Sequence, residues 1–481
     1  MSQKQGGTAI HKVAPANLLA INKFGGAFLF TKSFLRKNIM QRTYIKDLKD
    51  YIGKEVIISG YVDVRRNQGK MVFFEFRDRT SKVQGVVLPN NVEALESSKE
   101  IRPEWVVKII GVVNKRPEKN IQAGKMNGDI ELEIKRIDVI GTAKELPFEK
   151  DSEINIDTYL DYLPLTLRNQ KHTAVFKIQA IIAKAFRDFF TGEGFTEFQA
   201  PKLIGDDAEG GANSFDVTYF KHIAHLAQSP QLYKQIMVGV FERVFTIGNV
   251  YRAEKHSTTR HLNEYTSMDI EMGFIKDHND IMDIENKFMI YLSETLKREC
   301  QKEFDSLGAT IPNVSENTPK MTLREAQKLI TKETGKDCTN EPDLEPEHER
   351  WLCNYALKQF NSEFIFITNF PTAKRPFYTY RDEVDPTYTK GFDLLFRGVE
   401  ITTGAQRIHN YDDLVASMKE KKLDPEKFSY YLQAFKYGLP PHGGFGLGLE
   451  RLTAKLLNIE NIKEATLFPR DINRIDNLLS K

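Results

Sequence analysis

The side chains best placed to do chemistry lie between two strand-like runs. Residues 245–274 open with Phe245-Thr-Ile-Gly-Asn-Val-Tyr and close with Glu264-Tyr-Thr-Ser-Met-Asp269-Ile-Glu271-Met-Gly-Phe, apolar and β-branched residues at both ends. Between them runs Arg252-Ala253-Glu254-Lys-His-Ser-Thr-Thr-Arg260-His261-Leu262, with two arginines, two histidines and a glutamate. Arginine forks phosphate oxygens through paired N–H donors and lysine acts as a point charge, so such a loop between antiparallel strands suits a polyphosphate. A hairpin with a solvated charged tip would carry the same residues. The loop alone does not decide.

Two distant stretches do. Gly443-Gly-Phe-Gly446-Leu-Gly448-Leu449-Glu450-Arg451-Leu passes from glycine-rich strand into an apolar-periodic helix, with an arginine where the helix begins. Upstream, a helical run ends in Gly194-Phe-Thr-Glu-Phe-Gln-Ala-Pro201, a glycine turn and a strand stopped by proline. In this order and spacing the three resemble motifs 2, 3 and 1 respectively of the class II aminoacyl-tRNA synthetases. The finer resemblance is to the aspartyl, asparaginyl and lysyl subgroup, and within it to the archaeal-type aspartyl-tRNA synthetases. It is carried by Glu209-Gly-Gly, Gln228-Ser229-Pro-Gln231-Leu-Tyr-Lys234-Gln, the Arg252–Leu262 loop, Phe392-Asp393-Leu and Gly398-Val-Glu400-Ile-Thr-Thr403-Gly-Ala-Gln-Arg407. It runs from about residue 43 to Arg470.

The resemblance implies an α+β architecture: an N-terminal OB-fold β-barrel, then a class II catalytic domain built on an antiparallel β-sheet flanked by helices. It implies a ligase that joins L-aspartate to ATP as aspartyl-adenylate and passes it to the 3'-OH of tRNA(Asp). Arg252 would bridge the amino-acid carboxylate and the α-phosphate, Glu254 would meet the adenine, and Arg260, His261 and Arg451 would hold the outer phosphates. Arg252, Glu254 and Arg451 are thus the expected catalytic residues. Ala253, Leu262, Glu400, Gly448, Leu449 and Glu450 complete the expected ATP site. Glu209, Ser229, Gln231, Lys234, Arg252, Asp269, Thr403 and Arg407 are expected on aspartate, and Asp393, Glu400 and Thr403 on Mg2+. Thr403 stands where archaeal-type enzymes usually carry serine, which keeps the hydroxyl but adds a methyl and a stiffer χ1. Lys234 decides for aspartate, because a fixed cation loses its partner when a neutral amide enters. The first step needs no general base, since the substrate carboxylate is itself the nucleophile.

These residues need elements to hold them. Strand-like runs at 55–64, 71–77, 82–88, 105–113 and 130–140, with a short helix near 92–98, predict the five-stranded OB pattern over 43–145. By resemblance Phe73 stacks on the middle anticodon base and Gln84 reads its edge. Alternation sets Phe74 and Phe76 on one face and Phe73 and Glu75 on the other. Arg65, Arg66, Lys70, Arg77 and Arg79 would contact phosphates. Asp63 stands where some tRNA-discriminating enzymes carry an aromatic. Residues 146–170 are polar, contain proline and lack periodicity, so they read as a hinge to a catalytic domain over 171–481. Within it Val175, Ile178, Ile182, Ala185, Phe186 and Phe189 form one helical stripe, the family's two-fold contact, so a homodimer is expected; a helix packed inside its own domain would show the same stripe. About 276–369 reads as a helical insertion without chemistry, its acidic run 341–350 a solvated face, and Phe364-Ile-Phe-Ile-Thr-Asn-Phe-Pro371 resumes a buried strand of the sheet.

Composition narrows the rest. The 481 residues carry 68 basic and 66 acidic side chains, a formal charge of 68 − 66 = +2, so any polyanion must be held by local patches. No apolar run reaches the ~18 residues that span a bilayer. Cys300, Cys338 and Cys353 have neither CxxC nor metal-ligand spacing, as in reduced proteins of a cytosol-like, cytoplasmic compartment. No acidic residue precedes Asp47, so residues 1–42 read as a flexible basic leader: a transit peptide, an arm attracting tRNA, or residues upstream of a natural start at Met40. The competing functions are a relaxed enzyme that also aspartylates tRNA(Asn), an asparaginyl-tRNA synthetase, a tRNA-independent amino-acid ligase, and a non-catalytic RNA-binding paralogue.

Overall fold

Period-two alternation builds the first of two units, which ends at Lys150. The computed structural model describes residues 41–150, 152–205 and 214–479, so the expected leader lies outside the described residues except for its last two. Of these, Arg42 pairs with Ile57 and donates from Nη2 to the Ser59 carbonyl at 2.8 Å, making it part of the barrel wall. Strands β1 (Glu55–Gln68), β2 (Met71–Arg77) and β3 (Lys82–Val87), helix α1 (Val92–Ser98), and strands β4 (Val106–Lys115) and β5 (Ile130–Gly141) follow in order. The strands close a barrel in the order β1-β2-β3-β5-β4, with β3 and β5 as its parallel seam. Val56, Ile58, Val62, Phe74, Phe76 and Leu132 fill it. Phe73 and Glu75 stand half-buried on the opposite face.

One residue breaks that alternation. The β1–β2 register skips Asp63, and this bulge turns its carboxylate inward, where Arg77, Lys82 and Lys150 surround it. Burial raises the Asp63 carboxyl, but Lys150 and Lys82 overcome burial and hold it below the usual range. Arg77, expected on phosphate, is instead buried, bonded to Asp63 at 3.0 Å and to Glu104 at 2.6 Å. Two buried acids compensate its charge, and it is not offered to RNA.

The second unit starts at Asp151. The segment expected as a hinge is helical over α2 (Ile156–Asp161) and α3 (Leu163–Thr166). Then come α4 (Gln170–Gly192), β6 (Thr196–Glu197), β7 (Leu203–Ile204), β8 (Asp216–Tyr219), β9 (His222–Leu226) and α5 (Gln231–Phe241). The charged loop joins β10 (Arg243–Tyr251) to β11 (Glu264–Gly273). After these follow α6 (His278–Glu299), α7 (Gln301–Leu307), β12 (Lys320–Thr322), α8 (Leu323–Thr334), α9 (Pro346–Phe360) and β13 (Phe364–Thr368). The chain continues through β14 (Gly391–Phe396), β15 (Val399–Arg407), α10 (Tyr411–Glu420), α11 (Ser429–Lys436), β16 (His442–Gly448) and α12 (Leu449–Leu456).

Among the described residues the main sheet runs β12-β13-β14-β15-β16-β11-β10-β6. It is antiparallel from β13 to β10, with a short parallel strand at each edge. The α4 stripe packs inside its own unit, where Phe186 and Phe190 meet Phe245 and Phe288, so that stripe is explained without a second copy. The stretch expected as a helical insertion does carry helices, and β13 is the buried strand expected from Phe364; the unexpected strand is β12, which adds an edge to the sheet, while α8 and α9 cover that extension. A capping box at Thr322 and Glu325 starts α8.

Candidate active site

Along β11 the two faces have different chemistry. Met268, Ile270 and Met272 enter the core, and the alternate residues Ser267, Asp269 and Glu271 face the other way. Glycines across the sheet make room for them: a Cβ on Gly444 would come within 2.3 Å of Glu271 Oε2, and one on Gly446 within 2.9 Å of Asp269 Oδ1. The glycine-rich run of β16 is therefore what lets two acids stand over a strand.

Above this face lies a cavity of about 400 Å³. It brings together Ser229 just before α5 and Gln231 and Lys234 in its first turn, then Arg252, Glu254, Arg260, His261 and Leu262 from the loop. Asp269, Glu400, Thr403 and Arg407 from the sheet and Gly448, Glu450 and Arg451 at the head of α12 complete the expected residues in its wall. Ala253 and Asp393 do not line it, and Leu449 is a core side chain. Glu209 lies outside the described residues.

At the floor Lys234, 2% exposed, donates to Asp269 Oδ1 at 3.1 Å and to the Phe445 carbonyl at 3.2 Å, with Glu271 Oε2 at 3.4 Å. Arg407 donates from Nε to Glu271 Oε1 at 2.9 Å and from Nη2 to Gln231 Oε1 at 3.2 Å. Burial pushes the Glu271 carboxyl up, but Arg407 and Lys234 more than offset it, so Glu271 stays ionised. Two cations and two acids balance in this floor. An entering ligand meets fixed charges whose orientation is already set.

At the other end Arg451 donates to the Glu400 carbonyl at 2.8 Å, and Thr403 Oγ1 donates to Glu400 Oε1 at 2.9 Å. Glu400 and Thr403 are three apart, a spacing that alternation would send to opposite faces. Leu394 pairs with Thr402 and Leu395 with Glu400, so Ile401 is a bulge residue that returns both to one face. Beside them burial pushes the Asp393 carboxyl up to about 7, with Arg375 pulling it down and Glu400 repelling it. Arg375 Nη2 binds Asp393 Oδ2 at 2.8 Å, and Asp393 Oδ1 is buried with no hydrogen bond to any described residue. Two mutually repelling carboxylates, one with an unsatisfied oxygen, and a nearby hydroxyl fit a hard divalent cation that keeps most of its ligands for phosphate and water. Glu450, pushed up to about 7 by burial, accepts the Thr266 amide with both oxygens at 3.0 Å. It ties α12 to β11.

In the barrel, Phe73 and Gln84 line a second, smaller cavity with Arg66, Lys82, Arg116 and Lys125. Gln84 Nε2 is 3.3 Å from Glu131 Oε2. Arg79 stacks on Tyr44, and Arg65 donates to the Ser98 carbonyl.

Residues 155–472 match the class II tRNA synthetases for D, K and N, and residues 56–140 match the OB-fold nucleic acid binding domain. The chain belongs to the class II aminoacyl-tRNA synthetases. It is 45% identical over 445 residues to the aspartate–tRNA(Asp/Asn) ligase of Deinococcus radiodurans, covering 91% of this chain and 99% of that protein. It is 38% identical over 429 residues to the aspartate–tRNA(Asp) ligase of Pyrococcus abyssi, covering 88% and 96%. Among solved structures, asparaginyl-tRNA synthetase from Pyrococcus horikoshii complexed with asparaginyl-adenylate superposes with a TM-score of 0.84 at 30% identity, covering 91% of this chain and 100% of that one. Aspartyl-tRNA synthetase from Entamoeba histolytica gives 0.81 at 30% identity, covering 97% and 100%.

In this class II synthetase, motif 2 is β10, the charged loop and β11, and motif 3 is β16 with α12; both reach the cavity. The motif 1 helix α4 packs in the core behind it. Sequence reasoning did not single out Glu271, although its alternation with Asp269 was a usable signal. It also missed Lys374, Arg375 and Tyr378, which line the cavity from the non-periodic connection between β13 and β14. No local pattern marks them.

Proposed function

We propose that this synthetase activates L-aspartate with ATP and esterifies it to tRNA(Asp). The observation that carries this reading is the pair Lys234 and Arg407, both buried in the floor of one cavity whose rim holds Arg252 and Arg451. The substrate's side-chain carboxylate would lie against Lys234 and Arg407. Its α-carboxylate would meet Arg252, which also faces the α-phosphate, while Glu254 meets the adenine and Arg260, His261 and Arg451 hold the outer phosphates. Asp269 and Gln231 hold cation and ligand in register, and the bond forms by positioning and charge neutralisation. Asp393, Glu400 and Thr403 would hold Mg2+, which when bound neutralises phosphate charge. In the barrel Phe73 would stack on an anticodon base and Gln84 would read its edge. We further propose a homodimer and a cytoplasmic location; among the described residues no helix is long and apolar enough to cross a membrane.

A second reading, that tRNA(Asn) is aspartylated as well, is favoured by relatives named for both tRNAs, at 45% and 43% identity. Buried Asp63 presents no aromatic surface at the position where some discriminating enzymes have one. Charging of purified tRNA(Asp) and tRNA(Asn) with aspartate tests both readings. Esterification of tRNA(Asp) alone supports the strict enzyme, comparable charging of the two supports the relaxed one, and charging of neither ends the proposal.

A further inference from the structure

The acidic run 341–350 is not a uniformly solvated face. Glu349, on α9, has only 15% of its side chain exposed, and its Oε2 accepts from Arg260 Nη2 at 3.0 Å. It therefore touches the charged loop, 89 residues away in the chain. The helix that carries it is rigidly seated. Glu345 and His348 form its capping box, while Leu352, Cys353 and Ala356 anchor it in a core. Arg350 lies so close to the β14–β15 turn that a Cβ on Gly398 would come within 2.9 Å of its Cγ.

Arg260 is held from the backbone side too. Its amide donates to Thr258 Oγ1 at 3.1 Å, and the Thr259 carbonyl accepts from Ile462 at 3.0 Å. Of its guanidinium, Nη2 is engaged by Glu349, with the Gly398 carbonyl at 3.5 Å, whereas Nε and Nη1 bond to no described residue. An arginine clamped at one corner keeps its remaining donors free for an anion and loses less rotamer freedom when the anion arrives. A solvated ion pair contributes little, but this one is largely shielded by α9 on the acid side.

We propose that Glu349 is a positioning residue for ATP: it fixes the Arg260 guanidinium so that its free edge meets the outer phosphates. This rests on the reading of Arg260 as a phosphate ligand. Glu349 does not touch substrate itself, so its effect is confined to ligands that use Arg260.

The test compares full-length wild type, Glu349→Gln, Arg260→Gln and the double variant by calorimetric titration. The probes are ATP, pyrophosphate, and a non-hydrolysable aspartyl-adenylate analogue that has no β- or γ-phosphate. Glu349→Gln is expected to weaken ATP and pyrophosphate about tenfold. It should leave the analogue within about twofold, and the double variant should bind ATP no worse than Arg260→Gln alone. Glu349→Asp, with the charge retained at shorter reach, should recover part of the loss. Equal losses for ATP and the analogue, fully additive losses in the double variant, unchanged ATP binding, or tighter ATP binding would each overturn the proposal. If Arg260→Gln itself leaves ATP binding unchanged, the phosphate role of Arg260 fails first.

Discussion

Replacing Lys234 by leucine isolates the group that selects the amino acid. Its ammonium lies 3.1 Å from Asp269 and 3.4 Å from Glu271, all three side chains at most 4% exposed. With the lysine gone, two buried acids share one remaining cation, Arg407, and the floor goes from neutral to a net charge of −1. Removing one partner of a buried, hydrogen-bonded charge pair costs about 2 to 5 kcal/mol of binding, and an incoming aspartate side chain now meets repulsion in place of attraction. At 1.36 kcal/mol per tenfold, kcat/KM for aspartate should fall by roughly 10² to 10⁴. The phosphate end of the cavity is untouched, so KM for ATP should move by no more than about threefold. ATP–pyrophosphate exchange without tRNA measures both, with asparagine as a second substrate that should suffer less than aspartate. Comparable losses for ATP and aspartate, or a larger loss for asparagine, would refute the assignment of Lys234 as the selecting charge. A thermal melt checks that the variant is folded.

Two other perturbations separate the remaining roles. Phe73→Ala should weaken tRNA charging by about 1 to 3 kcal/mol, the worth of one stacked base, with tRNA-free exchange unchanged; impaired exchange would show that Phe73 serves packing. Glu285, fully buried on α6, has its carboxyl pushed up to about 8 by burial, with Asp393 adding repulsion. A carboxyl raised on folding contributes stability that is present below its unfolded value and is lost as pH climbs through the folded value. Glu285→Gln removes that loss, so the variant should gain on wild type as pH rises from 5 to 8, by roughly 3 to 4 kcal/mol. Melting curves across that range that stay parallel for the two proteins would show that Glu285 is not held neutral.

The barrel was legible in the sequence because alternation and turn residues are local. Phe73 and Glu75 face away from Phe74 and Phe76 for a reason visible within six residues. The charged loop, the glycine-rich strand and Lys234 were equally legible as residue types in order. Several things were not. Arg77 and Arg66 look alike in sequence, but the bulge at Asp63 draws Arg77 inward while Arg66 stays exposed at the barrel cavity. Glu400 and Thr403 share a face only because Ile401 is a bulge residue against β14, and register between strands is a tertiary property. Sequence determined which chemistry was available, since charge, hydrogen-bonding capacity and periodicity belong to the residues themselves. Only the folded sheet decided which charges meet: Glu271 between Lys234 and Arg407, and Glu349 beside Arg260, are contacts between distant segments that no local pattern encodes.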